Sequence, residues 1–229
     1  MNPTLKPLIG IRAAIIDLDG TMVDTAPDFQ VAINRLRAEL DLALLELETI
    51  KEFVGKGSEH LMRRVLGVDF GAQEVEHRFE HAMQRYQHHY LQINGLHSQV
   101  YPQVHEGLAV MQERGLYLAC VTNKPIAFAR PLLEKTGLLP FFRVIYGGDS
   151  LPRKKPDPLP MLTVCGDFGI APHEAVAIGD SSNDAEAARA AGCRSLAVPY
   201  GYNHGQPVQS IASDGIVGSL RIAADLIAA

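Results

Sequence analysis

The apolar run Ala13-Ala14-Ile15-Ile16 stops abruptly at Asp17-Leu18-Asp19-Gly20-Thr21, and no other feature narrows the possible folds so far. A short apolar run ending in acidic residues and a glycine reads as a buried strand feeding a loop at its carboxyl end. That is the edge where open α/β sheets bind their ligands. Side chains two apart on extended backbone point the same way, so Asp17 and Asp19 can face one site. Two like charges held together away from water call for a cation to offset them. The pattern therefore implies a divalent metal between the carboxylates and, next, chemistry on a phosphate.

Five apolar runs read as buried strands: Ala13–Asp17, Tyr117–Thr122, Arg143–Tyr146, Ala175–Asp180 and Arg194–Val198. Helical spacing fills the gaps between the later ones, at Val104–Arg114, Ala127–Thr136, Leu159–Phe168 and Asp184–Ala191. Alternation of strand and helix predicts an α/β fold, a doubly wound parallel sheet with helices on both faces. Right-handed crossovers then bring all the strand carboxyl ends to one edge.

Between the first two strands lies an insertion without strand signal. Thr25 followed by Asp28 resembles a capping box, and Phe29, Ile33, Leu36 and Leu40 continue at helical spacing. Further helices are predicted over Leu45–Phe53 and Ser58–Leu66. A longer one carries the apolar stripe Val75, Phe79, Met83, Tyr86, Tyr90 and Ile93. The organisation read from this is a catalytic core of residues 1–24 and 96–229 and an all-helical cap of residues 25–95. Two adjacent linkers, Asp24–Ala26 and Asn94–Tyr101, make a hinge. His77, His81, His88 and His89 fall off the apolar stripe and read as a solvated face rather than a metal site.

Composition excludes some functions. A net charge of −5 offers no basic stripe to displace counterions, so no nucleic-acid partner is expected. No apolar stretch is long enough to span a membrane. Cys120, Cys165 and Cys193 have neither zinc spacing nor an even count, which fits free thiols in the cytoplasm. The start, Met1 to Arg12, lacks the layout of a secretory leader. Nothing in the sequence signals an oligomeric state.

Three more polar clusters fall at the same predicted edge: Thr122-Asn123-Lys124, the run Arg153-Lys154-Lys155-Pro156-Asp157-Pro158, and Gly179-Asp180-Ser181-Ser182-Asn183-Asp184. Singly, each aspartate reads as a helix cap or turn, and each lysine as a surface charge. As an ordered set they resemble the four motifs of the haloacid dehalogenase superfamily, in its phosphatase branch. The helical insertion resembles that superfamily's first type of cap, with a Rossmann-like core. Gly201-Tyr202-Asn203-His204-Gly205 is similar to a segment of the phosphoglycolate phosphatases.

The resemblance implies Asp17 as nucleophile and Asp19 as general acid and then base. It implies Mg²⁺ held by Asp17, the main-chain carbonyl of Asp19 and Asp180, with Asp184 orienting that shell or pairing with Lys155. Thr122, the amide of Asn123 and Lys155 would hold the phosphoryl oxygens of a small phosphate ester, best matched by 2-phosphoglycolate. A sugar-phosphate mutase resembling β-phosphoglucomutase shares these motifs. A signalling receiver domain shares their chemistry but has no long cap, and its phosphorylated aspartate usually ends the third strand, whereas Asp17 ends the first. Specificity is expected from the cap turn Gly55–Ser58, with Gly55 facing the site and Lys56 touching the far end of the substrate. Arg63 and Arg64 are further cap cations, and Lys124 either touches substrate or caps a loop.

Overall fold

A computed structural model describes residues 6–228; Met1–Leu5, the first part of the stretch read for a leader, lie outside the described residues. Along the chain come β1 (Leu8–Ile9), β2 (Ala13–Ile16) and β3 (Val23–Asp24). Four helices follow: α1 (Ala26–Glu39), α2 (Leu47–Phe53), α3 (Ser58–Leu66) and α4 (Ala72–Ile93). Then come β4 (Gln99–Val100), α5 (Val104–Glu113), β5 (Tyr117–Val121), α6 (Ile126–Lys135), β6 (Val144–Tyr146), α7 (Leu159–Phe168), β7 (Ala175–Gly179) and α8 (Ser182–Ala191). The chain closes with β8 (Arg194–Ala197), β9 (Gly215–Ile216), α9 (Leu220–Leu226) and β10 (Ile227–Ala228).

Six strands form one parallel sheet in the order β6-β5-β2-β7-β8-β9. Five were expected from the sequence; the sixth, β9, is two residues long and too short to show a period. Every residue of β2 is buried because the strand is central, with helices on both of its faces. Ala14 and Ile16 pack with α5, α6 and α9, while Ala13 and Ile15 pack with α7 and α8. The strand order reverses beside β2, which makes its carboxyl end the switch point of the sheet. Ile16 pairs with Cys120 of β5 and Ile178 of β7, so Asp17 emerges between two neighbouring strand ends.

Helices α1 to α4 have their own core, built on Ile33, Leu36, Met62, Val65, Tyr86 and Tyr90. Phe128 of α6 and Tyr202 join that cluster from the core side and dock the two together. The linkers are paired as the antiparallel β3–β4 ribbon, Val23 with Val100 and Asp24 with Gln99.

Two expectations need correction. Thr25 makes no side-chain cap to α1. Its backbone N–H and that of Ala26 are instead taken by Tyr202 Oη, at 2.8 and 2.9 Å. Asp28, freed from a capping box, accepts from Gly95 N at 2.7 Å, His97 N at 2.8 Å and the Ser98 hydroxyl, tying the second linker to the first helix of the cap. His89, expected in solvent, is buried and meets Glu39 Oε1 at 2.9 Å, because the side of α4 that carries it packs on α1. His77, His81 and His88 are exposed.

Candidate active site

The loop after β2 is a tight turn. Leu18 O accepts from the amides of Thr21, Met22 and Val23, and Gly20 takes a φ of 82°, which a side chain would resist. Gly20 also has no room for a Cβ, since Asp180 lies against it; Gly201 is crowded by the same carboxylate. These glycines let the second carboxylate close in on the first.

Asp17, Asp180 and Asp184 offer carboxylate oxygens that lie within 4.8 Å of one another. Thr21 Oγ1 donates to Asp180 Oδ1 at 3.0 Å and Tyr202 N to Oδ2 at 2.7 Å, which fixes that side chain. Asp184, in the first turn of α8, is already committed. Its Oδ1 accepts from Lys155 Nζ at 2.6 Å and its Oδ2 from Ser181 Oγ at 2.8 Å. Lys155 Nζ also donates to Val121 O at 2.6 Å and forms an ion pair with Asp17 Oδ1 at 2.9 Å. That pair is off the angle a hydrogen bond requires, so Asp17 Oδ1 is buried without one.

Burial drives the electrostatics here. Desolvation, added to by Asp184 and Asp19 but opposed by Lys155, pushes Asp17 up to about 7. Desolvation with the neighbouring charges of Asp17 and Asp184 pushes Asp180 up to about 8. Burial works against the charge of Lys155, yet Asp17 and Asp184 outweigh it and raise its pKa. Hard oxygen donors, one orphaned oxygen and carboxylates that resist ionising together fit a hard divalent cation. Asp17 and Asp180 are the pair left to hold one.

Thr122, Asn123 and Lys124 follow β5, and all three line the cavity beside Asp17 and Asp19. Asn123 Nδ2 donates to Gly55 O at 3.0 Å and to Lys155 O at 2.9 Å. Asn183 Nδ2 reaches the same Gly55 carbonyl at 3.2 Å. Gly55, Gly57 and Ser58 therefore face the site from the cap. Lys56 is exposed and does not line the cavity. Gly55 and Gly57 both have positive φ, 112° and 89°, and the turn between them aims the Gly55 carbonyl inward. Arg63 and Arg64 stack on Phe79 and Phe53 of the cap, at 4.0 and 4.5 Å from the ring centroids.

Two contributors were not assigned from the sequence. Tyr202 holds Asp180 through its N–H and the hinge through its hydroxyl, which donates to Asp24 Oδ1 at 2.7 Å. Tyr90, read as cap core, turns its hydroxyl to Lys124 Nζ at 2.7 Å. The resemblance of Gly201–Gly205 to a known segment was the one sign of the first. For the second there was none, because an aromatic in a helical stripe looks the same whichever way its hydroxyl points.

Residues 14–198 match the family model of the haloacid dehalogenase-like hydrolases, and the chain belongs to that family. Its phosphatases generally use Mg²⁺. Among curated relatives, the phosphoglycolate phosphatase of Thiobacillus denitrificans is 46% identical over 217 residues, covering 95% of this chain and 96% of the relative. That of Nitrosospira multiformis is 47% identical with the same coverage. A crystal structure of a predicted phosphoglycolate phosphatase from Haemophilus somnus superposes with a TM-score of 0.89 at 30% identity, covering 95% of this chain and 98% of the other. Among the described residues no helix is long and apolar enough to cross a membrane.

Proposed function

We propose that this protein hydrolyses 2-phosphoglycolate to glycolate and phosphate through an aspartyl-phosphate on Asp17. The observation that carries the reading is the Asp17 carboxylate itself: central, part-buried, with one buried oxygen that has no hydrogen bond and is set against Lys155 at 2.9 Å. A carboxylate needs no separate base to become nucleophilic once a cation holds its charge. Asp17 and Asp180, with the carbonyl of Asp19, would hold Mg²⁺, which supplies Lewis-acid stabilisation of the phosphoryl oxygens.

Asp17 attacks phosphorus in line with the departing alkoxide. Asp19, two residues on, gives that alkoxide a proton and later takes one from the water that hydrolyses the aspartyl-phosphate. Thr122 Oγ1, the Asn123 amide and the Lys155 ammonium hold phosphoryl oxygens, and Asp184 keeps Lys155 in position. The cap side of the cavity, lined by Phe29, Val54, Leu61 and Tyr86, offers few polar groups to the hydroxyls of a sugar, which favours a small leaving group. The relatives named as phosphoglycolate phosphatases support the same choice. Three buried free thiols suit the reducing cytoplasm.

Phosphate release from phosphoglycolate, hexose phosphates and nucleotides, with Mg²⁺ or with chelator, tests this reading. Phosphoglycolate should be turned over fastest, only with metal, and Asp17→Asn should lose at least about 10³-fold. Uniformly weak turnover across the panel would remove the substrate. A requirement for a sugar bisphosphate would replace the hydrolase with a mutase.

A further inference from the structure

We infer that Lys124 reads the substrate's leaving group, its ammonium taking the carboxylate of phosphoglycolate at the cap end of the cavity; this rests on the proposed substrate. Lys124 is the one basic side chain among the described residues that line the cavity. Its surroundings on the cap side are Phe29, Val54, Leu61, Tyr86 and Tyr90, none of which carries a charge. The other nearby ammonium groups are placed elsewhere: Lys155 is paired with Asp17 and Asp184 on the phosphoryl side, and Lys154 Nζ lies beside Gly57 rather than in the lining.

The position of the ammonium suits the chemistry of this ester. Lys124 is 4% exposed, and its Nζ donates to Asp19 at 3.0 and 3.3 Å and to Tyr90 Oη at 2.7 Å. Asp19 is the group that would protonate the ester oxygen. In phosphoglycolate a single methylene joins that oxygen to the carboxylate, so the group beside Asp19 is within reach of it. An ammonium has three hydrogens: Tyr90 takes one and the two oxygens of Asp19, at 3.0 and 3.3 Å, share a second, so the third is left for a substrate carboxylate.

The cap completes the subsite. The rings of Phe29 on α1 and Tyr90 on α4 sit 4.4 and 4.7 Å from Nζ. They exclude water around the ammonium, and a charge-assisted hydrogen bond is stronger when dry. A core lysine thus becomes a carboxylate reader when the cap is shut. The turn at Lys56 contributes its glycine backbone to the cavity, while its own ammonium stays outside.

The test compares kcat/KM for phosphoglycolate and for ethyl phosphate, which replaces the carboxylate with a methyl group. The wild-type protein should favour phosphoglycolate, and Lys124→Met should lower that preference at least about tenfold, as loss of a hydrogen bond to a charged group does. An equal loss on both substrates would overturn the inference, because it is what a mere support for Asp19 would give. A fall in preference with Lys56→Ala but not with Lys124→Met would overturn it too. Equal turnover of both esters by the wild-type protein would instead mark failure of the substrate reading, and the inference would fall with it. Should Lys124→Met fail to fold, Lys124→Gln is read in the same assay. The wild-type protein on the methyl ester of phosphoglycolate then supplies the second measurement, expected to lose as much as the substitution and overturning the inference if it loses nothing.

Discussion

The catalytic edge of the sheet and the seam between sheet and cap are built on opposite terms. At the edge, the groups around Asp17 are each held more than once: Lys155 by Val121 and Asp184, Asp184 by Lys155 and Ser181, and Asp180 by Thr21 and Tyr202. Across the seam next to the cavity, the cap is met by Asn123 and Asn183 on one carbonyl, by Lys124 on one hydroxyl, by the Phe128 carbonyl on Asn94, and by the apolar faces of Phe128 and Tyr202. The cap also has its own apolar core. Chemistry that depends on position needs the first kind of construction, and a cover that must admit substrate and release product needs the second.

The sharpest way to break that contrast is at Lys155. Lys155→Met would leave Asp184, buried, and Asp17, part-buried, without their cation. Removing one partner of a buried ion pair costs about 3–5 kcal/mol, because the other charge stays behind. Urea unfolding should record a loss of that size along with the loss of turnover. A loss below about 1 kcal/mol would mean that the edge is not held through Lys155 at all.

The next effect concerns the carboxylates themselves. Without metal, burial and mutual repulsion push Asp17 up to about 7 and Asp180 up to about 8, against 3.8 for the ordinary group. The folded protein therefore binds more protons than the unfolded chain between those values. The stability this gives is fully present below pH 3.8 and is lost as pH rises through 7 and 8. Mg²⁺ competes with those protons, so it should stabilise more at pH 8 than at pH 5.5. At a hundredfold excess over its Kd the stabilisation is about 2.7 kcal/mol, or about 5–10 °C in Tm for a chain of this size. Thermal unfolding with Mg²⁺ and with chelator at the two pH values measures it, and equal shifts would sink the assignment of these two carboxylates.

The same contrast separates what could be read in the sequence from what could not. The sheet and its edge were legible because β2, β5 and β7 are apolar runs followed at once by Asp17, Thr122 and Asp180, polar groups that the parallel sheet brings to one edge. The two-residue β9 has no period to detect. Tyr202 acts on Asp24, Thr25 and Asp180 from far along the chain, a relation that only the folded protein creates. The two lysines near the cavity are the clearest case. A cation between glycines drew attention to Lys56, yet a turn with two positive φ values sends backbone inward there and leaves the side chain exposed. Lys124, in a loop where lysine is ordinarily a surface charge, is the one that is buried.

The seam can be tested with a smaller change. Gly55 has a φ of 112°, and a Cβ there would come within 2.7 Å of His204 Cε1. Both the backbone and the neighbour resist Gly55→Ala, at a cost of about 1–3 kcal/mol in the closed arrangement. The cap core does not depend on this residue, and the edge of the sheet does not touch its side. The strain is therefore relieved by moving the turn away from His204, Asn123 and Asn183, so that closure becomes less favourable while each part stays folded. Turnover of phosphoglycolate should then show kcat/KM lowered about tenfold, with the urea midpoint nearly unchanged. A variant that unfolds as readily as it loses activity would mean that cap and core stand as one rigid body. The distinction between a fixed edge and a movable cover would then have to be given up.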